Sequence, residues 1–414
     1  MSHDALMAEV QGWLIEQSLF DADIVQLFGS LCERLGASGL PIARAALSWP
    51  TLHPLFQAEQ IYWRDGQGAE LFQYPHRDGP SAEFEQSPFA FLLRRRLPHL
   101  RRRLSGPEAL TDFPVLQDLQ ADGFTDYLMT SAEFSIAEVQ RGERGLTGIM
   151  SSWATQRAGG FSTADLEALF RVQKVFAVAC HASIQKRVMV NLAKAYLGET
   201  AAGRVLSGEV RRGDGARIKA VLWYSDLRRS TALSNRMPPE AYLSLLRDYY
   251  DCTAEAVIAE GGEVLQFIGD AVLGIFPVRD DCGLDGAVLA ATRAADAALG
   301  RRAKRIAEAE DAGAAPPALA FSVTMAVGEV MFGNIGVPSR LTFSAIGSAV
   351  NLVARLDEMT KTLGRRVLTT AEVASVEPGR WMSLGPQALR DFEEPVELFA
   401  RLRQSAVEDA AAAG

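Results

Sequence analysis

The sequence predicts an α+β protein in which two domains are joined by a long helix. The chain has 414 residues, 48% of them hydrophobic, which is enough for two or three buried cores. Short alternating segments and helical patterns are mixed in residues 43–160, a single helical pattern follows, and strands then alternate with helices. We therefore expect a first domain at 1–161, a helix and connector at 162–217, a second domain at 218–403 and a flexible tail at 404–414.

The composition excludes several classes of function. Lys and Arg total 42 against 51 Asp and Glu, and the resulting charge of −9 argues against nucleic acid as a partner. The four cysteines show neither CxxC spacing nor the density of a disulfide scaffold, which favours reduced thiols. The first residues lack the pattern of a signal peptide, and no window holds the roughly 18 apolar residues that a spanning helix needs. We expect a soluble, cytoplasmic protein without a membrane span.

The first domain shows a mixture of patterns. Residues 5–36 carry apolar residues at helical spacing up to a glycine-rich break, so one helix is expected there. β-rich segments and two short helical patterns follow, which is typical of an α+β domain. The histidines His53, His76 and His99 have no regular spacing, and we interpret them as structural or exposed rather than as haem ligands.

The connecting helix has a clear start. Ser162 and Asp165 have the spacing of a capping box, and Phe161 is placed to act as a hydrophobic staple. An apolar stripe then runs to about residue 196, which is longer than most globular helices. Such a helix can pair with its twin and join two domains.

In the second domain, polar residues fall at the ends of predicted strands. The segment KAVLWYSD is an apolar strand that ends near Asp226, and the dipeptide Gly269-Asp270 between EVLQFI and AVLGIF predicts a two-residue hairpin turn. Farther along, LTFSAIG predicts a strand, and Ser348 is placed to cap a helix that carries Asn351 and Arg355 four residues apart on one face.

Asp226 and Asp270 are candidates for a metal site. Each stands where an otherwise hydrophobic strand ends, and two converging carboxylates would repel unless a cation lay between them. Oxygen ligands of this kind suit Mg²⁺ or Mn²⁺, which commonly bring the phosphates of a nucleotide with them. Taken singly, either residue is better explained as a solvated turn aspartate.

Four segments in order resemble the class III adenylate and guanylate cyclases. WYSDLRRSTALS resembles the first metal motif of that family, GGEVLQFIGDAVLGIF the second, GEVMFGNIG the strand pair that follows, and TFSAIGSAVNLVARLDEM the third signature. The resemblance spans residues 219–401 and implies a ferredoxin-like βαββαβ core. It implies that a cyclic nucleotide and pyrophosphate are formed from a nucleoside triphosphate.

The resemblance also implies roles for single residues. Asp226 and Asp270, with the backbone carbonyl of Leu227, fall on the positions that hold two Mg²⁺ or Mn²⁺ ions. Asn351 and Arg355 fall on the pair that orients the ribose and neutralises charge on the α-phosphate. In the family this pair comes from the partner subunit, which implies a homodimer with shared active sites.

Phosphate and base contacts are matched less closely. The turn after Asp226 is a candidate anion site, and Arg390 resembles a basic residue that meets the triphosphate. Arg340 is read equally well as a phosphate ligand or a surface arginine. At the base-recognising positions stand Gln266 and Ser344, which can each donate or accept hydrogen bonds and so permit ATP, GTP or both. ATP is favoured as the commoner bacterial substrate. The candidate phosphate-binding residues are Arg228, Arg229, Ser230, Thr231 and Arg390.

Besides the base-recognising positions, two residues depart from the family pattern, and two alternative functions arise. Arg229 and Asp391 stand where glycines are common. One alternative is a non-catalytic sensor that binds nucleotide, against which the joint presence of the four site residues speaks. The other, a diguanylate cyclase, is rejected because the residues after Gly261-Gly262-Glu263 are apolar. The order of elements in residues 15–190 resembles a GAF domain, which implies a sensory function and a small-molecule ligand.

Overall fold

The structure, a computed structural model, describes residues 3–20, 22–136 and 148–402 and divides into two compact units, Met1–Ala195 and Tyr196–Gly414. Both units combine helices with a mainly antiparallel sheet. The predicted tail lies outside the described residues. No helix in the described part of the chain has the length and apolar character needed to cross a membrane.

The first unit is built on a six-stranded antiparallel sheet of order β3-β2-β1-β6-β5-β4. Its elements are α1 (His3–Leu19), α2 (Ile24–Ala37), β1 (Arg44–Pro50), β2 (Phe56–Arg64), β3 (Gly68–Pro75), α3 (Ala82–Glu85), α4 (Pro88–Arg95), β4 (His99–Arg103), α5 (Pro114–Ala121), β5 (Asp126–Glu133), β6 (Gly148–Thr155) and α6 (Thr163–Leu197). Because side chains alternate along a strand, Leu128 of β5 joins the core formed with α1, α2 and α6, whereas Tyr127 and Met129 join the core formed with α4 and α5.

The single helix predicted at 5–36 is in fact two helices. Asp23 caps α2, since its carboxylate accepts hydrogen bonds from the amides of Val25 at 2.9 Å and Gln26 at 3.2 Å. A side chain that satisfies the first amides of a helix favours a new start at that point. The apolar periodicity runs through this break and therefore does not reveal it.

The long helix α6 begins as predicted. The Asp165 amide donates to the Ser162 hydroxyl at 3.2 Å and the Ser162 amide donates to the Asp165 carboxylate at 2.7 Å, which is a reciprocal capping box. Its buried positions as far as Val188 belong to the core of the first unit. The first part of the segment predicted as a helix and connector, as far as Val188, thus packs into the first unit's core.

Arg187 ties α6 to the sheet of the first unit. Its guanidinium donates to both carboxylate oxygens of Glu59 on β2, at 2.8 and 2.7 Å, and Gln73 on β3 donates to the same carboxylate at 2.8 Å. The side chain of Glu59 is only 1% exposed. A buried carboxylate of this kind depends on its partners.

The second unit has an eight-stranded sheet of order β13-β14-β12-β10-β7-β9-β8, with β11 paired to β10. Its elements are α7 (Glu199–Leu206), β7 (Gly215–Leu227), α8 (Ser230–Arg236), α9 (Pro239–Ala259), β8 (Glu263–Ile268), β9 (Ala271–Pro277), α10 (Gly283–Asp311), β10 (Phe321–Val337), β11 (Arg340–Ile346), α11 (Ser348–Thr362), β12 (Val367–Thr370), α12 (Ala371–Ala374), β13 (Trp381–Gln387) and β14 (Val396–Arg401). The segment GEVMFGNIG continues β10 and is not a separate strand, and Gly347 rather than Ser348 is the N-cap of α11.

The two faces of the second sheet carry different helices. Val221 and Trp223 of β7 pack with α9 and α10, whereas Ala220 and Leu222 pack with α7 and α11. Asp226 continues the second series and therefore lies on the α11 face. At the start of the unit, the Thr200 hydroxyl of α7 donates to Glu263 of β8 at 2.6 Å.

Candidate active site

Asp226 lies next to the end of β7, between two neighbouring strands. It is paired in register with Ala271 of β9 on one side and with Ser322 of β10 on the other. The Ser322 hydroxyl donates to its backbone carbonyl at 3.4 Å. The strand position of Asp226 is thus fixed from both sides.

Asp270 occupies the turn between β8 and β9, directly before the register partner of Asp226. Gly269 has a φ of +62°, which glycine adopts without strain. The Leu227 amide donates to the Asp270 carbonyl at 3.2 Å, and the Tyr250 hydroxyl donates to the Gly269 carbonyl at 2.5 Å. The hairpin turn that carries Asp270 is therefore bound to the end of β7, the strand that carries Asp226.

The surroundings of Asp226 disfavour its negative charge. Burial, followed by the nearby carboxylate of Asp357 and then that of Asp270, raises the pKa of Asp226 to about 6, although Lys361 acts in the opposite direction. Its side chain is 17% exposed. A divalent cation at these carboxylates would offset the repulsion between them.

The donor set fits a hard divalent cation. Asp226, Asp270 and the Leu227 carbonyl offer oxygen atoms, and Mg²⁺ in nucleotide sites is held by one or two carboxylates together with water and phosphate. Among the residues that the structure describes, no group of three or more His, Cys, Asp and Glu side chains is arranged to hold a metal.

Asp357 and Lys361 on α11 also belong to this neighbourhood, and the sequence did not single them out. The Lys361 ammonium lies 3.3 Å from Oδ2 of Asp226 and 3.5 Å from Oδ2 of Asp357, and the Ser322 hydroxyl donates to Asp357. An acidic residue four positions before a lysine is common on solvated helix faces. That spacing alone does not reveal which strand the pair meets.

Asn351 and Arg355 are on the other face of α11. The buried side of this helix carries Val353, Leu356 and Thr360, whereas Asn351 is exposed. Arg355 donates to Glu358 at 2.6 Å and to Asp391 at 2.7 Å. One chain therefore does not bring the predicted catalytic pair to its own aspartates.

Part of the predicted phosphate-binding turn is used within the fold. The Arg228 amide donates to the Ala320 carbonyl at 2.7 Å, and the Arg228 guanidinium donates to the Thr360 hydroxyl. The Leu227 amide is engaged by Asp270 as described above. Ser230 and Thr231 form the first turn of α8, to which Arg229 is the N-cap. Arg228 is consequently directed towards α11, and its contact with phosphate stays a prediction.

Arg390 takes part in a charged cluster with the helix face that bears Arg355. It lies 3.4 Å from Glu358 and 3.5 Å from Asp391, and its side chain is 66% exposed. The cluster pairs two arginines with two carboxylates. Arg390 is thus near the predicted catalytic arginine, with its guanidinium accessible to solvent.

Arg229 and Asp391, which replace common glycines, keep the backbone conformation that glycine favours. Their φ values are +58° and +68°. Such values are costly for most residues, although aspartate tolerates them better than most. The two loops therefore keep a glycine-like shape.

The predicted base-recognising residues lie on different strands of the second unit. Gln266 is exposed on β8 beside a bulge, where it pairs with Leu273. The half-buried Ser344 lies on β11 and pairs with Gly333 of β10. Arg340 is exposed at the start of β11. These positions alone do not distinguish adenine from guanine.

The histidines of the first unit have local partners. The Nδ1 atom of His53 accepts from the Leu55 amide at 3.1 Å, His76 bonds to the His53 carbonyl at 2.8 Å, and the ring of His99 packs edge-on against Phe170. These contacts agree with the structural interpretation of all three.

Comparisons with known proteins relate the chain to nucleotidyl cyclases. No family model matches the chain. An adenylate cyclase of Anabaena cylindrica is 29% identical over 156 residues, which cover 37% of this chain and 30% of the relative. Adenylate cyclase 1 of Rhizobium meliloti is 28% identical over 163 residues, 38% of this chain and 23% of the relative. The chain spans less than a third of the length of these curated relatives.

Solved structures give a weaker comparison. An adenylyl cyclase from P. aeruginosa has a TM-score of 0.41 at 24% identity and covers 46% of this chain and 97% of its own. A guanylyl cyclase has a TM-score of 0.39 at 22% identity, covering 45% of this chain and 93% of its own. The sequence relatives support a nucleotidyl cyclase domain in this chain.

Proposed function

We propose that the second unit is a class III nucleotidyl cyclase that converts ATP to 3′,5′-cyclic AMP and pyrophosphate. The observation that carries this proposal is the position of Asp226, in register with Ala271, and of Asp270 in the turn directly before it, which the hydrogen bond from the Leu227 amide to the Asp270 carbonyl connects to the end of β7. The order of the four motifs and the adenylate cyclase relatives support it.

Asp226, Asp270 and the Leu227 carbonyl would hold two Mg²⁺ or Mn²⁺ ions. When bound, the metals supply positive charge that favours ionisation of the ribose 3′ hydroxyl and stabilises the triphosphate. Arg355 neutralises the charge that develops on the α-phosphate, and Asn351 orients the ribose. We propose that Arg390 and the first turn of α8 contact the oxygens of the triphosphate.

We further propose that the active form is a homodimer. Asn351 and Arg355 are on the face of α11 that points away from their own sheet, so they can serve only the aspartates of a second copy. Large apolar side chains remain exposed on nearby strands of the second unit, and burying them would stabilise association. They are Phe267, Ile268, Met331 and Ile346.

ATP is the proposed substrate, with GTP or both purines as the alternative. Gln266 and Ser344 offer amide and hydroxyl groups that can donate or accept, so they meet the N6 and N1 atoms of adenine without excluding guanine. The names of the relatives favour ATP. Strong discrimination requires polar groups that the wrong base leaves unpaired, and neither residue imposes that.

For the first unit we propose a GAF-like sensory domain that regulates the cyclase in the cytoplasm. Its antiparallel sheet is covered by helices on both faces, and α6 leads from its core to the start of the second unit. An unidentified small molecule is the proposed ligand.

The test is a product assay with purified full-length protein, ATP and GTP side by side, and Mg²⁺ or Mn²⁺. Cyclic AMP and pyrophosphate should appear, and Asp270→Ala should abolish both products while the unfolding temperature stays unchanged. Asp311→Ala, at the end of α10, serves as the control and should keep the full rate. Nucleotide binding without turnover by the unmodified protein would instead identify a non-catalytic sensor.

A further inference from the structure

A lysine reaches the candidate metal site from α11. The Nζ atom of Lys361 lies 3.3 Å from Oδ2 of Asp226 and donates a hydrogen bond to it. The Lys361 side chain is 56% exposed, whereas that of Asp226 is 17% exposed. The ammonium group therefore approaches from the solvent side and meets a carboxylate that is largely enclosed by the fold.

Asp357 holds this lysine in place. Its side chain is 6% exposed, it lies 3.5 Å from the Lys361 ammonium one helical turn away, and it accepts a hydrogen bond from Ser322. Ser322 is the register partner of Asp226 on β10. The same strand pair thus positions the metal-site carboxylate and, through Asp357, the cation that faces it.

We propose that Lys361 is a resident counter-ion of the metal site, which a divalent ion must displace from Asp226, and that it thereby sets the affinity of the site for metal. This inference rests on the proposed function, because it assumes that Asp226 holds the ion. Lys361 is a positioning residue in this scheme, since it acts on the metal ligand and not on the substrate. The Lys361 side chain can withdraw into solvent when the ion arrives, because more than half of it is already exposed.

The size of the effect follows from the separation of the charges. Two unit charges about 4 Å apart in water interact strongly enough to change a binding equilibrium roughly fivefold. The repulsion between a divalent ion and the Lys361 ammonium is twice that between two unit charges, whereas withdrawal of the lysine into solvent reduces this repulsion. We therefore expect Lys361→Met to tighten metal binding about fivefold.

The competing explanation is that Lys361 only stabilises α11 through its pair with Asp357. Pairs of this spacing stabilise helices slightly. In that case Lys361→Met would lower the unfolding temperature a little and leave metal affinity unchanged. Metal affinity is thus the quantity that separates the two explanations.

The experiment measures Mn²⁺ binding to the full-length chain, without nucleotide, from the electron paramagnetic resonance signal of free Mn²⁺. It is carried out at pH 8.5, well above the pKa of about 6 of Asp226, so that protons do not compete. Lys361→Met should bind Mn²⁺ about fivefold more tightly, and Lys361→Arg, which keeps the charge, should stay within twofold of the unmodified protein. Lys304→Met is the matched control, because Lys304 forms an exposed pair with Glu308 of the same spacing, at 3.7 Å, on α10.

Each outcome decides the matter. Unchanged or weaker binding by Lys361→Met would overturn the role of Lys361 and leave the cyclase proposal standing, provided that Asp226→Asn still abolishes binding. Mn²⁺ binding that survives Asp226→Asn, or no binding by the unmodified protein, would overturn the metal site and the counter-ion together. Equal tightening in Lys304→Met would also refute the inference, because it would reveal a general effect of net charge.

Discussion

Two inactive variants should restore activity when they share a dimer. The perturbation combines Asp270→Asn, which damages the metal site, with Arg355→Ala, which removes the cation expected at the α-phosphate. Each variant alone should lose at least about a hundredfold in rate, as removal of a single preorganised charge-stabilising group does. In a mixed dimer, one site receives its aspartates from one chain and its arginine from the other, and both are intact.

The expected recovery follows from the geometry of α11. Successive residues turn by about 100°, so Arg355 lies about 200° around the helix from Asp357, which faces the aspartate of its own chain. In the proposed homodimer, two symmetric sites would therefore each combine residues of both copies. Random mixing of equal amounts gives about half mixed dimers with one intact site of two, which amounts to about a quarter of the unmodified rate.

The assay is pyrophosphate release after coexpression of the two variants with different affinity tags and isolation of the doubly tagged species. That species should work at about half the unmodified rate, because one of its two sites is intact. A mixture of Asn351→Ala with Arg355→Ala is the control and should stay inactive, since both changes damage the same half of each site. If a proven mixed dimer recovered no activity, the result would refute the assignment of the two faces of α11 to the sites of two different copies.

Three further results are expected. Arg187→Met should lower the free energy of unfolding of the first unit by about 3 kcal/mol, because it leaves the buried Glu59 carboxylate without its cation, and the double variant with Glu59→Gln should regain most of that loss in a denaturant titration. The same loss should shrink between pH 7.5 and pH 5. Burial raises the pKa of Glu59, but the hydrogen bonds from Arg187 and Gln73 outweigh burial and hold that pKa below its usual value. The pair therefore stabilises the fold fully above the pKa that Glu59 has in the unfolded chain. This contribution is lost as the pH falls through the lower pKa that Glu59 has in the folded chain. In Arg187→Met the hydrogen bonds of Arg187 no longer oppose the effect of burial, so the carboxyl of Glu59 takes up a proton at higher pH, and a difference that grows on acidification would contradict this reasoning. Finally, Asp391→Ala should be less stable than Asp391→Gly by about 1 kcal/mol in thermal unfolding, since both lack the carboxylate and only alanine is strained at a φ of +68°; equal stabilities would mean that the loop relaxes.

Local patterns predicted the position of the two aspartates. An apolar strand ending at Asp226 and a glycine-aspartate turn at Asp270 are both features of neighbouring residues, and the structure has the strand and the hairpin where they were expected. The start of α6 at Ser162 was predictable for the same reason. Their role in metal binding stays a prediction.

Features that depend on distant parts of the chain were not predictable. The pairing of Lys361 with Asp226 joins residues that are 135 positions apart, and it depends on which strand α11 covers. The burial of α6 as far as Val188 likewise depends on its packing against a sheet, which the apolar periodicity of the helix does not reveal. The break at Asp23 was missed because a capping side chain interrupts the backbone without interrupting the apolar stripe.

The hydrogen bond from Thr200 to Glu263 connects α7 to the edge strand of the second sheet. In the strand order β8 is terminal and has β9 as its strand neighbour, so the hydrogen bond from Thr200 of α7 is an additional contact of its first residue. From that residue the strand runs past Gln266 to the turn at Asp270. A displacement of α7 would therefore act on the first residue of the strand that leads to the turn with Asp270, the carboxylate that the proposed chemistry needs.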